Sequence, residues 1–164
     1  MLMKLSDFLR ITLDDPKQKS SLADEIRLMK FYLDIQQIRF EDKLKIEINM
    51  PDEVKSAIVP TFILQPLIEN SIIHGIAPYS QPATLTVSFT KLNGMLEVEV
   101  YDNGGGIITD QVNEGIGLKN TRGRLRELYG DKAGLTILPH PIKGTITKLW
   151  MPFSLSNTII DELN

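Results

Sequence analysis

Along residues 64–75 the apolar side chains fall at Leu64, Leu67, Ile68, Ile72 and Ile73. That three-to-four spacing predicts a helix rather than a strand. The same stretch carries Glu69, Asn70 and His74, and a separation of four puts Asn70 and His74 on one helix face. Three polar groups on an oily helix are costly unless solvated or bound to something, so the trio is read as facing a ligand pocket. Pro60 is expected to start this helix, and Pro66 inside it to kink it or tighten a turn.

Two helices are expected upstream. Leu2, Leu5, Phe8, Leu9 and Leu13 mark a short amphipathic one over residues 2–13, ended by Asp14-Asp15-Pro16. Ser20 or Ser21 can cap the next, with Asp24 and Glu25 in its first turn and Phe40 near its end. Leu22, Ile26, Met29, Leu33 and Phe40 form its stripe, which Leu28, Phe31, Ile35 and Ile38 widen. A stripe that wide wants more than one neighbour. Half of a helical bundle, completed elsewhere, is one reading, and packing on the domain behind is the plainer one.

Beyond residue 40 the period changes to two. Residues 43–50 alternate strictly, with Leu44, Ile46, Ile48 and Met50 on one side. Pro51-Asp52 turns the chain, a short apolar piece follows over 54–59, and residues 77–82 read as loop. Leu85, Val87 and Phe89, then Leu96, Val98 and Val100, form a hairpin about Asn93-Gly94, with Glu97 and Glu99 outward. Gly104-Gly105-Gly106 interrupts regular structure, and residues 107–114 read as loop. A further helix over about 118–129 buries Leu118, Leu125 and Leu128 and stops at Gly130. Two strands close the pattern, at 135–138 and 145–153, before a polar tail. The order predicts an α+β two-layer sandwich, a mixed sheet with helices on one face, preceded by a helical segment.

Composition narrows the class. A hydrophobic share of 42% over 164 residues supports one domain with a full core, with room for a helical appendage. A net charge of −3 gives no general attraction to nucleic acid or anionic membrane. The absence of cysteine excludes a disulfide framework and thiolate metal sites, and fits a reducing, cytoplasmic compartment. The longest apolar run, residues 57–68, is broken by Pro60, Thr61, Gln65 and Pro66 and is too short to span a bilayer.

The chemistry gathers at the glycine segments. Asp102 ends a strand just before flexible backbone, where a carboxylate can accept a proton from an exocyclic amine such as that of adenine. Gly104 and Gly106 let the chain wrap a flat base, while Gly115 and Gly117 open a helix whose free amides and dipole favour phosphate. Lys119 and Arg122 add positive charge at that end, Arg122 being the better phosphate candidate; with Arg124 and Arg126 they otherwise read as a solvated helix face. Asn70 offers an amide oxygen suited to a magnesium ion bridging phosphates. A Rossmann fingerprint, a P-loop, an EF-hand and a zinc site are each missing essential residues.

Glu69-Asn70-Ser71-Ile72-Ile73-His74-Gly75, Asp102-Asn103-Gly104-Gly105-Gly106-Ile107, Gly115-Ile116-Gly117-Leu118-Lys119-Asn120 with Thr121-Arg122-Gly123-Arg124-Leu125, and Gly144-Thr145 resemble, in order, the N box and glycine boxes of the GHKL ATPases. Within that group the likeness is to the LytS-like sensor histidine kinases. Leu5-Ser6-Asp7-Phe8-Leu9-Arg10, and Tyr32-Leu33-Asp34-Ile35-Gln36-Gln37-Ile38-Arg39-Phe40, resemble the segment that follows those kinases' phosphoacceptor site.

The resemblance implies the Bergerat fold and a two-component kinase core that positions ATP and Mg2+ for phosphoryl transfer. Residues 1–40 would be the last part of a dimerisation and phosphotransfer segment, 41–154 the ATP-binding domain, and 155–164 a tail. Glu69 and Asn70 would be catalytic, Glu69 positioning or polarising the nucleophile, and Asn70 would hold the metal. Asn70, His74, Asp102, Gly104, Gly106, Gly115, Gly117, Leu118, Arg122 and Thr145 would line the cofactor site, His74 packing beneath the nucleotide and Thr145 supporting the adenine pocket. The family's phosphoacceptor histidine is expected upstream of Met1, and neither His74 nor His140 matches it, so the chain resembles a catalytic fragment without its acceptor. Its segment between glycine boxes, 107–114, is shorter than in common histidine kinases and lacks a phenylalanine motif. Implied partners are a response-regulator receiver domain and a second copy in the full-length, membrane-anchored kinase. The alternative is a nucleotide-gated interaction module of the same group that transfers no phosphoryl group.

Overall fold

The computed structural model describes residues 19–106 and 115–155. The helix expected over 2–13, the segment 107–114 and the tail beyond residue 155 lie outside the described residues.

The chain runs β1 (Lys19–Ser21), α1 (Leu22–Phe40), β2 (Leu44–Asn49), β3 (Ile58–Pro60) and α2 (Gln65–Asn70), which continues as a π-helical turn over Ser71–Ile76. It then runs β4 (Ala83–Leu92), β5 (Met95–Asp102), α3 (Ile116–Tyr129), β6 (Gly134–Pro139) and β7 (Thr145–Pro152). Five strands form one sheet in the order β2-β4-β5-β7-β6; β2 and β4 are parallel and every other pair antiparallel. The expected mixed sheet with helices against it is the observed architecture, and the strand-period and helix-period signals separate as read.

Register decides which side chains share the covered face. Val87 faces Val100, Val100 faces Thr147, and Thr147 faces Ile137. One row toward the glycine end, Leu85 faces Asp102 and Asp102 faces Thr145. Leu85, Val87, Phe89, Leu96, Val98, Val100, Leu149 and Met151 thus build the sheet's half of the core, and every second residue between them faces out. There Glu99 and Lys148, directly opposed, pair at 2.8 Å. The β4–β5 turn is Asn93-Gly94 with both residues at positive φ (51° and 76°), the hairpin turn that matches strand twist.

Helix α1 begins where Ser21 accepts the Asp24 amide at 3.1 Å. Its Leu22, Ile26, Met29 and Leu33 enter the same core as the sheet, while Ile35 and Ile38 stay exposed. The inner half of the wide stripe therefore packs on the domain behind it. A two-stranded antiparallel sheet of β1 and β3, not foreseen from sequence, ties the start of α1 to the chain ahead of α2, and Leu22 adds a bond to the Ala57 carbonyl at 2.8 Å. β3 takes the last two residues of the apolar piece over 54–59 together with Pro60, and Val54 at its start closes a 3-10 turn over Asp52–Val54.

Three expectations about the central helix are corrected. Pro60 ends β3, where it faces Lys19, and does not start the helix. Helix α2 begins at Gln65, so Pro66 lies in its first turn, where the missing N–H is not needed, and not in its interior; that turn is tightened by the Leu67 amide on the Leu64 carbonyl at 3.1 Å. Ile73 is 51% exposed, because the π turn widens the spacing after Asn70 and rotates Ser71, Ile72, Gly75 and Ile76 inward instead.

Candidate nucleotide site

Asp102, the last residue of β5, lies fully buried beneath the π turn. A β-carbon built on Gly75 would stand 2.3 Å from Asp102 Oδ1, so only glycine lets the turn rest on the carboxylate. The Gly75 carbonyl accepts the Gly105 amide at 3.0 Å, and the Gly104 amide donates to Asp102 Oδ1 at 3.2 Å. Asn103 locks the neighbouring strand end: its Oδ1 accepts the Thr84 amide at 2.6 Å and its own amide returns to the Thr84 carbonyl. On the other flank Gly144, at φ +98°, lies against the backbone of Asp102 and Asn103.

This buried junction of turn and sheet is polar and incompletely bonded. Among the described residues, Asp102 Oδ2, Ser71 Oγ, Thr147 Oγ1 and, on α1, Gln36 Oε1 are buried without a hydrogen-bond partner, the first three at this junction. Natively buried polar atoms almost always find partners, so unmet ones clustered together invite a ligand. Burial pushes the Asp102 carboxyl up to about 6, while the Gly104 amide and the Ser71 hydroxyl, which approaches the carboxylate without completing a well-formed hydrogen bond, pull the other way. Thr145, opposite Asp102 in register and 5% exposed, shares the row. Thr147, one row further along the same face, stands diagonal to Asp102.

The expected residues divide into groups. Asp102, Gly104, Gly106 and Thr145 come together, Gly106 lying near Gly144. Ser71 and Gly75 of the N-box stretch, Gly144 of the Gly144-Thr145 pair, and Thr147 join them, although none of the four was expected as a site residue. The alternation of Thr145, Ile146 and Thr147 was the available signal for the last, since it places both threonines on the covered face. Glu69 and Asn70, at the end of α2, are half-buried, and Gln65 donates to Glu69 Oε1 at 2.7 Å. His74 is exposed. Gly115 starts α3 with no side-chain cap, Gly117 packs on Pro66 of α2, and Leu118 is buried behind them.

The basic residues of α3 are not simply a solvated face. Arg122 donates to the Leu135 carbonyl of β6, and Arg124 to the Thr61 carbonyl at 2.6 Å. His140 serves the β6–β7 turn: its Nδ1 accepts the Ile142 amide at 3.3 Å and its ring packs on Tyr101, centroids 4.5 Å apart. Among the described residues no three His, Asp or Glu side chains converge as a metal cage, and no helix is long and apolar enough to cross a membrane.

Comparison with known proteins fits this geometry. The histidine kinase family model matches residues 1–44. Sensor histidine kinase YesM of Bacillus subtilis is 33% identical over 156 residues, and sensor protein LytS of the same organism 30% over 165. Each match covers 93% of this chain. The chain belongs to the sensor histidine kinases. Its likeness reaches the LytS-like branch of the GHKL group, and it spans about a quarter of those relatives' length (27% for YesM). Sensor histidine kinase BtsS of Escherichia coli is 32% identical over 153 residues. Among solved structures, the histidine kinase domain of the Erythrobacter litoralis EL346 blue-light activated kinase superposes with TM-score 0.65 at 20% identity, covering 93% of this chain and 72% of that one. The catalytic domain of histidine kinase ThkA superposes with TM-score 0.64 at 13% identity, covering 85% and 97%. At those identities the superpositions establish the fold.

Proposed function

We propose that this chain is the ATP-binding catalytic core of a two-component sensor histidine kinase, presenting Mg-ATP to a histidine upstream of Met1. The observation that carries the reading is the buried Asp102 carboxylate, with one oxygen unpartnered and the Ser71 and Thr147 hydroxyls unpartnered near it. An adenine amino group supplies the donor such a carboxylate lacks, and the hydroxyls can complete the base's remaining hydrogen bonds directly or through water.

The roles follow from position. Asp102 and Thr145 hold the base; Gly104 and Gly106 admit it against the backbone. Gly115 and Gly117, at the uncapped start of α3 with Leu118 behind them, receive phosphate oxygens on free amides. His74 borders the nucleotide from the exposed side of the π turn, and Arg122 reaches phosphate only if it leaves the Leu135 carbonyl. Asn70 offers its amide oxygen to Mg2+, which when bound neutralises charge on the phosphates. Glu69 orients or polarises the incoming imidazole. Phosphoryl transfer needs little more than positioning and charge neutralisation, and this set can supply both. The γ-phosphoryl group would pass to the histidine nitrogen, leaving ADP, and then to a receiver-domain aspartate.

The wider assembly is part of the same proposal. Residues 1–40 are the end of the dimerisation and phosphotransfer segment, 41–154 the nucleotide domain and 155–164 a tail, within a membrane-anchored homodimer whose kinase core is cytoplasmic. A response-regulator partner is supported by a fold neighbour: ThkA has been solved in complex with response regulator protein TrrA, and superposes on 94% of this chain with TM-score 0.60. Labelled-ATP binding tests the site. The parent should bind, and Asp102→Asn and Asn70→Ala should each weaken binding; equal binding by all three would reject the assignment. Acid-labile phosphate on a chain extended to include the upstream histidine would separate the kinase from a non-transferring nucleotide-gated module.

A further inference from the structure

The carboxylate of Glu25, on α1, is 1% exposed and lies far from the nucleotide pocket in sequence and role. Its Oε1 accepts the Ser20 hydroxyl at 2.7 Å and the Phe62 amide at 2.9 Å. Burial raises the Glu25 carboxyl above the ordinary carboxylate value, and the Ser20 hydroxyl and the amides of Phe62, Leu64 and Ile63 offset part of that rise. These amides belong to the turn that leads into α2. That helix starts at Leu64 without a side-chain cap of its own, leaving amino-terminal N–H groups in need of acceptors. The Glu25 carboxylate, thirty-seven residues away in the chain, holds the Phe62 amide of the turn just ahead of that helix.

The turn is held from its other side too. Arg124 of α3 donates to the Thr61 carbonyl at 2.6 Å and is electrostatically coupled to Glu25. Between the two clamps Phe62 sits at φ 59°, a left-handed conformation that an aromatic residue adopts only when its surroundings impose it. One turn thus joins three elements. α1 lies within the segment matched by the histidine kinase model, α2 carries Glu69 and Asn70, and α3 begins with the phosphate-facing glycines. Glu69 is itself coupled electrostatically to Tyr32, two turns along α1 from Glu25.

We propose that Glu25 is a positioning residue for the metal-phosphate half of the nucleotide site, setting the placement of α2 relative to α3 through the turn at residues 61–64. The inference rests on the nucleotide reading above. Displacing this turn shifts α2, whose Pro66 packs against Gly117 in the first turn of α3, and carries Asn70 at its far end with it, while Asp102 stays anchored in the sheet. Small misplacements of such groups weaken the interactions they serve.

The decisive readout is the ratio of ATP affinity with and without Mg2+, measured beside the melting temperature. Glu25→Gln keeps the side chain's size and an acceptor oxygen but removes the charge. It should reduce the Mg2+-dependent gain in affinity by about tenfold while Mg2+-free affinity stays within about twofold. Arg124→Gln should act in the same direction, and the double variant by less than the product of the two. If Glu25→Gln does not fold, Glu25→Asp, which shortens the reach to the Phe62 amide, replaces it. A lowered melting temperature with an unchanged ratio would mean an ordinary structural contact and overturn the inference. A parent chain with no Mg2+-dependent ATP affinity would overturn the nucleotide reading, and this inference with it; a parent that has it beside variants that keep it overturns this inference alone.

Discussion

Gly75 and Asp102 touch across the interface between helix and sheet: any β-carbon at position 75 would enter the carboxylate, at 2.3 Å from Oδ1 and 2.5 Å from Cγ. The contact exists because the helix loosens into a π turn over Ser71–Ile76, which turns Gly75 inward. Such turns concentrate at functional sites. Gly75→Ala should force the turn off the sheet. We expect a loss of about 1–3 kcal/mol in unfolding free energy, as for other overpacked interiors. Nucleotide affinity should fall by more than the stability change implies, which titration calorimetry beside thermal unfolding can check.

The burial that raises Asp102 to about 6, from an ordinary 3.8, makes two pH predictions of opposite sign. In the free protein the folded state holds this proton more tightly than the unfolded chain. Its stabilising effect is therefore complete below about pH 4 and lost as pH rises through about 6. An adenine amine, in contrast, requires the ionised carboxylate, so nucleotide affinity should climb between pH 5 and 7, by at most about tenfold per unit, and level off above. Both are read as the difference between the parent and Asp102→Asn, which removes the contributions of Glu25 and of the phosphate groups. A difference that is flat from pH 5 to 7 would contradict the prediction.

Thr147 separates a structural role from a binding one. Its hydroxyl is fully buried and unpartnered among the described residues. Thr147→Val keeps the shape and deletes an unsatisfied group, so the free protein should be unchanged or more stable by up to about 1–2 kcal/mol. If the hydroxyl serves the nucleotide, ATP binding should weaken in the same variant. The pair of opposite changes is measured by melting and by labelled-nucleotide binding.

Ser21 offers a control remote from the pocket. It caps α1 through the Asp24 amide. Ser21→Ala should cost about 1 kcal/mol of stability, seen in urea unfolding with an unchanged slope, and leave nucleotide affinity at the parent value.

The sequence by itself determined the elements and their sides. Strict alternation over β4 and β5 assigned Val87 and Val100 to the core, because a period of two leaves a strand no other choice. Asn93-Gly94 fixed the hairpin, since both positions need positive φ. The resemblance of the chain's motifs to the GHKL boxes marked Asp102, Gly104 and Thr145 as one expected site, and the strand register, with the Gly104 amide on Asp102, makes them neighbours. Tertiary structure decided what depends on partners distant in the chain. The π turn that brings Ser71 and Gly75 to Asp102 and leaves Ile73 exposed is a response to packing on β5, and a 3.6-residue period cannot announce it. The capture of Arg122 and Arg124 by carbonyls of Leu135 and Thr61 depends on neighbours supplied by the fold. So does the clamp of Glu25 on Phe62. A carboxylate in a helix's first turn looks like a surface dipole partner, and only the approach of a strained turn made it a buried acceptor.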